Sequence, residues 1–103
     1  MIKIMNLKNH KREFSYDVAV CRNLSVLGNH FPMENEGERD TVCDYYERWF
    51  ELHKNDNDIS EELYRILSLY KEYKIIRLFC FCAPKRCHAE TIKKWLEDNI
   101  DKD

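Results

Sequence analysis

Glycine and proline are scarce in this chain, two of each in 103 residues, and no stretch is of low complexity. No apolar run approaches the ~18 residues that a membrane-spanning helix needs, and the N-terminus lacks a signal-peptide apolar block. An excess of one charge is missing too. Lys and Arg number 17 against 19 Asp and Glu, and the net charge of −2 removes the argument for a general polyanion binder. There are no internal repeats and no linker. These absences leave one small domain over residues 1–103, expected in the cytoplasm and away from membranes.

What is present fits a packed core. A hydrophobic share of 44% with five Phe, two Trp and six Tyr excludes wholesale disorder. A chain this long buries roughly two thirds of the surface its unfolded form exposes, so a core without a cofactor is feasible. Five cysteines stand out. An odd count with no secretory signal argues against a disulfide framework and for a reducing compartment.

Ile2 to Leu7 alternates apolar and polar residues and reads as a strand, and Asp17 to Arg22 as a second. Asn23 to Glu36 carries Gly28, Asn29, Pro32 and Asn35 and reads as a long loop. From Glu38 to about Lys54, Val42, Tyr45, Tyr46, Trp49, Phe50 and His53 form a helical apolar stripe. Asp58 and Glu61 have the spacing of a capping box that opens a second helix, with Leu63, Ile66, Leu67, Tyr70 and Tyr73 on one face. Ile75 to Cys82 is apolar on both faces, as a central strand would be, and Pro84 stops it. A last helix runs from about Cys87 to Ile100, and residues 97–103 are expected to fray. The fold class is therefore α/β: three or four short strands with helices packed on the sheet, in the order β-β-α-α-β-α. The connection between the first two strands is shorter than the dozen or more residues a parallel crossover usually needs. That pair is expected to be antiparallel, which places Asn6 at the far edge from Arg22 and Cys82.

Chemistry concentrates in Cys80-Phe81-Cys82-Ala83-Pro84-Lys85-Arg86-Cys87-His88. A strand, a tight turn and a helix N-terminus follow one another, and free amides with the positive end of a helix dipole collect anions there. The same field should lower the pKa of Cys87. Four readings stand. Cys80, Cys82 and His88 are ordinary core residues. Or Cys80, Cys82, Cys87 and His88 hold a structural zinc, whose ligand types they suit, although Cys-x-Cys on a regular strand spaces thiols about 6–7 Å apart and no second Cys-x-x-Cys knuckle exists. Or the thiols react. Cys82 and Cys87 are spaced Cys-x4-Cys rather than Cys-x-x-Cys, and Cys87 and His88 lie about 100° apart on a helix, which leaves Cys82 with His88 as a nucleophile–base pair. Or the turn binds a phosphate or carboxylate with Lys85 and Arg86.

The segment Cys80-x-Cys82-x-Pro84-x-x-Cys87-His88 resembles the C-terminal signature of the family called domain of unknown function 4326, found in bacteria and many phages. Met5-Asn6-Leu7, Tyr16 to Arg22, Leu27-Gly28-Asn29-His30-Phe31 and Gly37-Glu38-Arg39-Asp40 also follow its pattern, with His30 for the family's Pro and Ala89 for its Gly after Cys-His. The resemblance covers most of the chain, implies which residues matter, and carries no activity.

Ligands of open α/β sheets bind outside the carboxyl ends of the strands. The leading expectation is thus a pocket for a phosphate-bearing, nucleotide-like small molecule, with Arg22, Gly28, Asn29, Lys85 and Arg86 as ligand-binding residues. Cys82, Cys87 and His88 would line the reactive wall. If the domain is an enzyme, His88 is the better general acid/base and Cys82 or Cys87 the better nucleophile. No cofactor is expected; zinc on the Cys80-Cys82-Cys87-His88 cluster is the alternative. An interaction module is the other class, in which Tyr45, Tyr46, Trp49, Phe50, Tyr70 and Tyr73 form a homodimer or partner face. Nucleic acid is disfavoured, because the basic cluster Lys8, His10, Lys11, Arg12 is opposed by acidic residues 34–58. Taken singly, Arg22 also reads as a surface charge and Gly28-Asn29 as a plain turn.

Overall fold

A computed structural model describes residues 1–101 of the chain. Three short strands, β1 (Ile2–Asn6), β2 (Asp17–Ala19) and β3 (Ile76–Cys80), form one sheet in the order β1-β3-β2. Both outer strands run parallel to β3, with Ile2 opposite Ile76 and Val18 opposite Leu78. A 3-10 turn (Glu36–Glu38) leads into α1 (Arg39–His53), followed by α2 (Asn57–Tyr73) and, after β3, α3 (Ala89–Asn99). The element order and α/β class are as the sequence predicts.

The expected antiparallel pairing of the first two strands is wrong. They do not touch; each pairs with β3, and all three run the same way. The length argument fails because the strands are so short. Five residues advance only ~17 Å, and residues 7–16 can cover more than ~30 Å when extended, enough to return the chain without a helix. Asn6 therefore ends at the same edge as Cys80 and not at the far one.

The two faces of the sheet are covered differently. Side chains alternate, so Ile2, Ile4, Val18, Ile76, Leu78 and Cys80 share one face. They join the main core with Leu63, Ile66 and Leu67 of α2 and Ile92 and Leu96 of α3, each spaced three or four residues apart on its helix. The other face carries Asp17, Arg77 and Phe79 and is roofed by the returning segment. Phe14 stacks on Tyr16 with ring centroids 5.0 Å apart, and the Arg77 guanidinium lies over the Phe14 and Phe79 rings at 5.0 and 5.3 Å. Asp17, whose side chain is fully enclosed, receives four hydrogen bonds: Nε and Nη2 of Arg77 (2.6 and 2.7 Å) and the amides of Glu13 and Phe14 (2.7 and 2.9 Å).

Several boundaries move. β2 stops at Ala19 and β3 at Cys80, since Phe81 and Cys82 already turn away. α3 begins at Ala89, which leaves Cys87 in the turn and His88 as the capping residue. The Asp58–Glu61 capping box does not form: α2 starts at Asn57, and Asp58 Oδ1 accepts from the amide of Ile59. Of the tail expected to fray, residues 97–99 are helical, while 102 and 103 lie outside the described residues. The long loop after β2 has no regular structure yet is well tied. Leu27 is fully buried, its carbonyl accepts from the Tyr46 hydroxyl at 2.6 Å, and the amide of Phe31 donates to Asn29 Oδ1 at 3.0 Å.

Candidate functional site

All three strands end at one edge, where two segments meet: the loop after β2 and the turn after β3. Asn6 closes the join. Its side-chain amide donates to the carbonyls of Ala83 (2.8 Å) and Phe81 (3.3 Å), which fixes the turn to the end of β1. From the other side, the carbonyl of Arg86 accepts from Arg39 Nη1 at 2.9 Å and from the Cys43 thiol at 3.8 Å, which ties the turn to α1. The turn is thus held at both ends by side chains distant in sequence.

Between these segments lies a cleft of about 370 Å³, of ligand-pocket size, whose walls include Arg22, Asn29, Phe31, Arg39, Cys82 and His88. Cys87 and Arg86 also reach it. Of the residues the sequence singles out, Arg22, Asn29, Arg86, Cys82, Cys87 and His88 are brought together here, whereas Gly28 and Lys85 are not on its wall. A larger hollow of about 690 Å³ lies between α1 and α3, walled by charges of both signs such as Glu47, Glu51, Lys54 and Lys94. The chemistry favours the smaller one, because the buried His88 lines it.

His88 has a defined protonation pattern. Nε2 lies 2.5 Å from the carbonyl of Val20, so Nε2 carries the proton and donates. Burial holds the ring's pKa below its ordinary value of 6.5, against the opposing pull of that carbonyl. The imidazole is therefore neutral near pH 7. Nδ1 has no partner among the described residues and is not fully enclosed, and His88 lines the cleft.

The three arginines differ in what surrounds them. Arg86 binds Asp40 and Asp44 at 2.9 Å and Glu47 at 3.2 Å, all on α1. Arg39 grips both oxygens of Glu36 at 2.7 and 2.8 Å. Arg22 has no carboxylate partner among the described residues; its Nε donates to the carbonyl of Asn29 (3.0 Å) and its Nη2 to that of Phe31 (3.3 Å). Two neutral acceptors orient this guanidinium and leave its charge uncompensated. Lys85 faces Glu36 at 3.3 Å on the exposed outside of the turn.

Gly28 is explained by packing. A Cβ there would lie 2.3 Å from Cα of Arg22 and 2.6 Å from its amide nitrogen, so only glycine lets the loop fold back onto the backbone that carries Arg22. Its part in the cleft is to position Arg22.

Two amides of the turn are occupied within the chain, that of Lys85 by the carbonyl of Cys82 at 2.9 Å and that of Cys87 by Glu90. Cys87 Sγ donates to Cys80 Sγ at 3.4 Å, and the backbone of Cys82 and Ala83 favours negative charge on Cys80 as well. These contacts pull the Cys80 thiol below its usual range, the Cys87 hydrogen bond acting most strongly and burial opposing. Cys87 is pushed up, first as donor to Cys80 and then by burial, which reverses the lowered pKa expected from its place before a helix. The amide of Cys87 is itself occupied by the Glu90 carboxylate at 3.1 Å. Cys21 and Cys43 are buried thiols raised by desolvation. Among the described residues, no group of three or more His, Cys, Asp or Glu side chains is arranged to hold a metal ion.

Arg39 and Phe31 are wall residues that the sequence reading gives no role. Arg39 lies in the Gly37–Asp40 run at the start of α1, and that run was its only signal.

The fold and the site define a small α/β domain with a three-stranded parallel sheet and a cleft at the carboxyl ends of its strands. The family described as domain of unknown function (DUF4326) matches residues 5–98 of the 103, and the chain belongs to it. No curated protein and no solved structure matches the chain.

Proposed function

We propose that the cleft binds a small anionic ligand, a phosphate-bearing and nucleotide-like molecule, with Arg22 as the principal partner of the anion. The observation that carries this reading is the uncompensated guanidinium of Arg22, oriented by the carbonyls of Asn29 and Phe31 on the wall of a cleft. Arg22 is exposed at the cleft and has no carboxylate to neutralise it among the described residues, so it is freer to take up an anion than the paired Arg39 and Arg86. The position supports the same reading, at the carboxyl ends of parallel strands. Phe31 and Phe81 add aromatic surface to the wall, which suits a flat base.

For chemistry on that ligand, the neutral His88 offers Nδ1 as a proton acceptor, and Cys82, half-buried beside Arg39, offers a sulfur. Five free thiols fit a reducing cytoplasm, where we place the protein. The test is thermal unfolding against a panel of nucleoside mono-, di- and triphosphates and inorganic pyrophosphate. A ligand at 100 times its Kd adds about 2.7 kcal/mol of stability, a readily measured shift. Absence of a shift with every member at millimolar concentration overturns the reading.

A further inference from the structure

We propose that Cys80 and Cys87 are a redox couple, closed to an intramolecular disulfide by a hydroperoxide. The two sulfurs are 3.4 Å apart in the buried heart of the strand-to-helix turn, in direct contact as donor and acceptor. To reach an S–S bond length of ~2.05 Å they need to approach by about 1.4 Å. Cys80 ends β3 and Cys87 precedes α3, so the closing movement falls on the turn between two fixed elements. The other thiols are placed elsewhere. Cys43, on α1, donates to the carbonyl of Arg86, Cys82 lies on the cleft wall beside Arg39, and Cys21 follows β2 with no hydrogen bond to Cys80 or Cys87 among the described residues. The Cys-x-x-Cys spacing of dithiol oxidoreductases is missing, but the fold achieves the proximity with six residues between the two thiols.

Access and reactivity divide the roles. Both thiols are buried, Cys80 1% and Cys87 4% exposed, and Cys87 borders the cleft and the hollow between α1 and α3. Cys80, favoured as thiolate by the Cys87 hydrogen bond, is the attacking sulfur for a hydroperoxide that enters past Cys87. Cys80 sulfur attacks the distal oxygen, the O–O bond breaks, and the Cys80 proton leaves with the departing alkoxide as an alcohol, or as water from hydrogen peroxide. Cys80 is then a sulfenic acid. Cys87 sulfur attacks it, the S–O bond breaks, and the Cys87 proton leaves with hydroxide as water. Two thiols and one hydroperoxide give one disulfide, one alcohol and one water, with two electrons passing from sulfur to oxygen. Nothing here depends on what the cleft binds.

The experiment treats the native, fully reduced protein with hydrogen peroxide, blocks remaining thiols under denaturing conditions, and maps tryptic peptides by mass spectrometry. The expected product is the peptide Leu78–Lys85 joined to Cys87–Lys93, with fragmentation assigning the bond to Cys80, two thiols lost and both recovered with dithiothreitol. Cys82→Ser should give the same link. A bond at Cys21, Cys43 or Cys82, irreversible oxidation at Cys82 alone, or five unchanged thiols under conditions that oxidise the unfolded chain would each overturn the proposal.

Discussion

Arg77 and Arg22 lie close to the same short strand and have opposite surroundings. On the covered face of the sheet, Arg77 is paired through two bonds with an enclosed Asp17 and sandwiched by aromatic rings. At the open edge, Arg22 is oriented by carbonyls alone. The first arrangement completes the fold, since both charges and their hydrogen bonds are satisfied internally. The second leaves a charge prepared for something the chain does not contain. The difference separates a structural cation from a binding one more sharply than burial or exposure does.

The strongest way to break this contrast is at the covered face. Asp17→Ala strands the guanidinium of Arg77 and frees the amides of Glu13 and Phe14, and should cost about 3–5 kcal/mol in urea unfolding. A loss below ~1 kcal/mol would mean that the pair is not structural. Next comes Gly28→Ala. The new methyl meets the Arg22 backbone at 2.3 Å, and the expected destabilisation is about 1–3 kcal/mol, with weakened ligand binding because Arg22 moves with the loop.

Acid should separate the two regions along the pH axis. His88 and Asp17 both have folded pKa values below their ordinary 6.5 and 3.8, so the unfolded chain binds more protons and stability falls as pH falls. The His88 contribution is complete above 6.5 and declines below it, and the Asp17 contribution begins to decline only below 3.8. Unfolding free energies measured from about pH 7.5 to 4.5 should decline in the wild type and flatten in His88→Gln, whose amide can still donate to Val20. An equal decline in both would remove His88 from the account. The smallest effect belongs to Arg86→Ala. Its three carboxylate partners are exposed, so stability should change by about 1 kcal/mol or less, and ligand affinity should stay within about twofold.

The sequence carries the class, the element order and the helical stripes, because hydrophobic period is a local property; Val42, Tyr46 and Phe50 are buried as their spacing predicts. It also carries the cluster from Cys80 to His88. It does not carry strand direction: the norm for crossovers applies to longer strands, and it places Asn6 at the far edge when the residue ends opposite Cys80. The roles of Arg22, Arg39 and Arg86 were illegible for a related reason. Arg86 meets Asp40 and Asp44 only through the docking of α1 against the turn, a contact across more than forty residues that no local pattern records. The amide-rich turn reads as an anion cradle in sequence, and only its three-dimensional closure brings one sulfur against another.

The most direct test is calorimetric titration of the wild type and of Arg22→Ala with the phosphate-bearing ligand that gives the largest thermal shift. Truncating a hydrogen-bonded charge partner should weaken binding at least tenfold, about 1.4 kcal/mol, while the unfolding free energy changes little. Unchanged affinity in Arg22→Ala, with the variant as stable as the wild type, would contradict the assignment of Arg22 as the anion's partner.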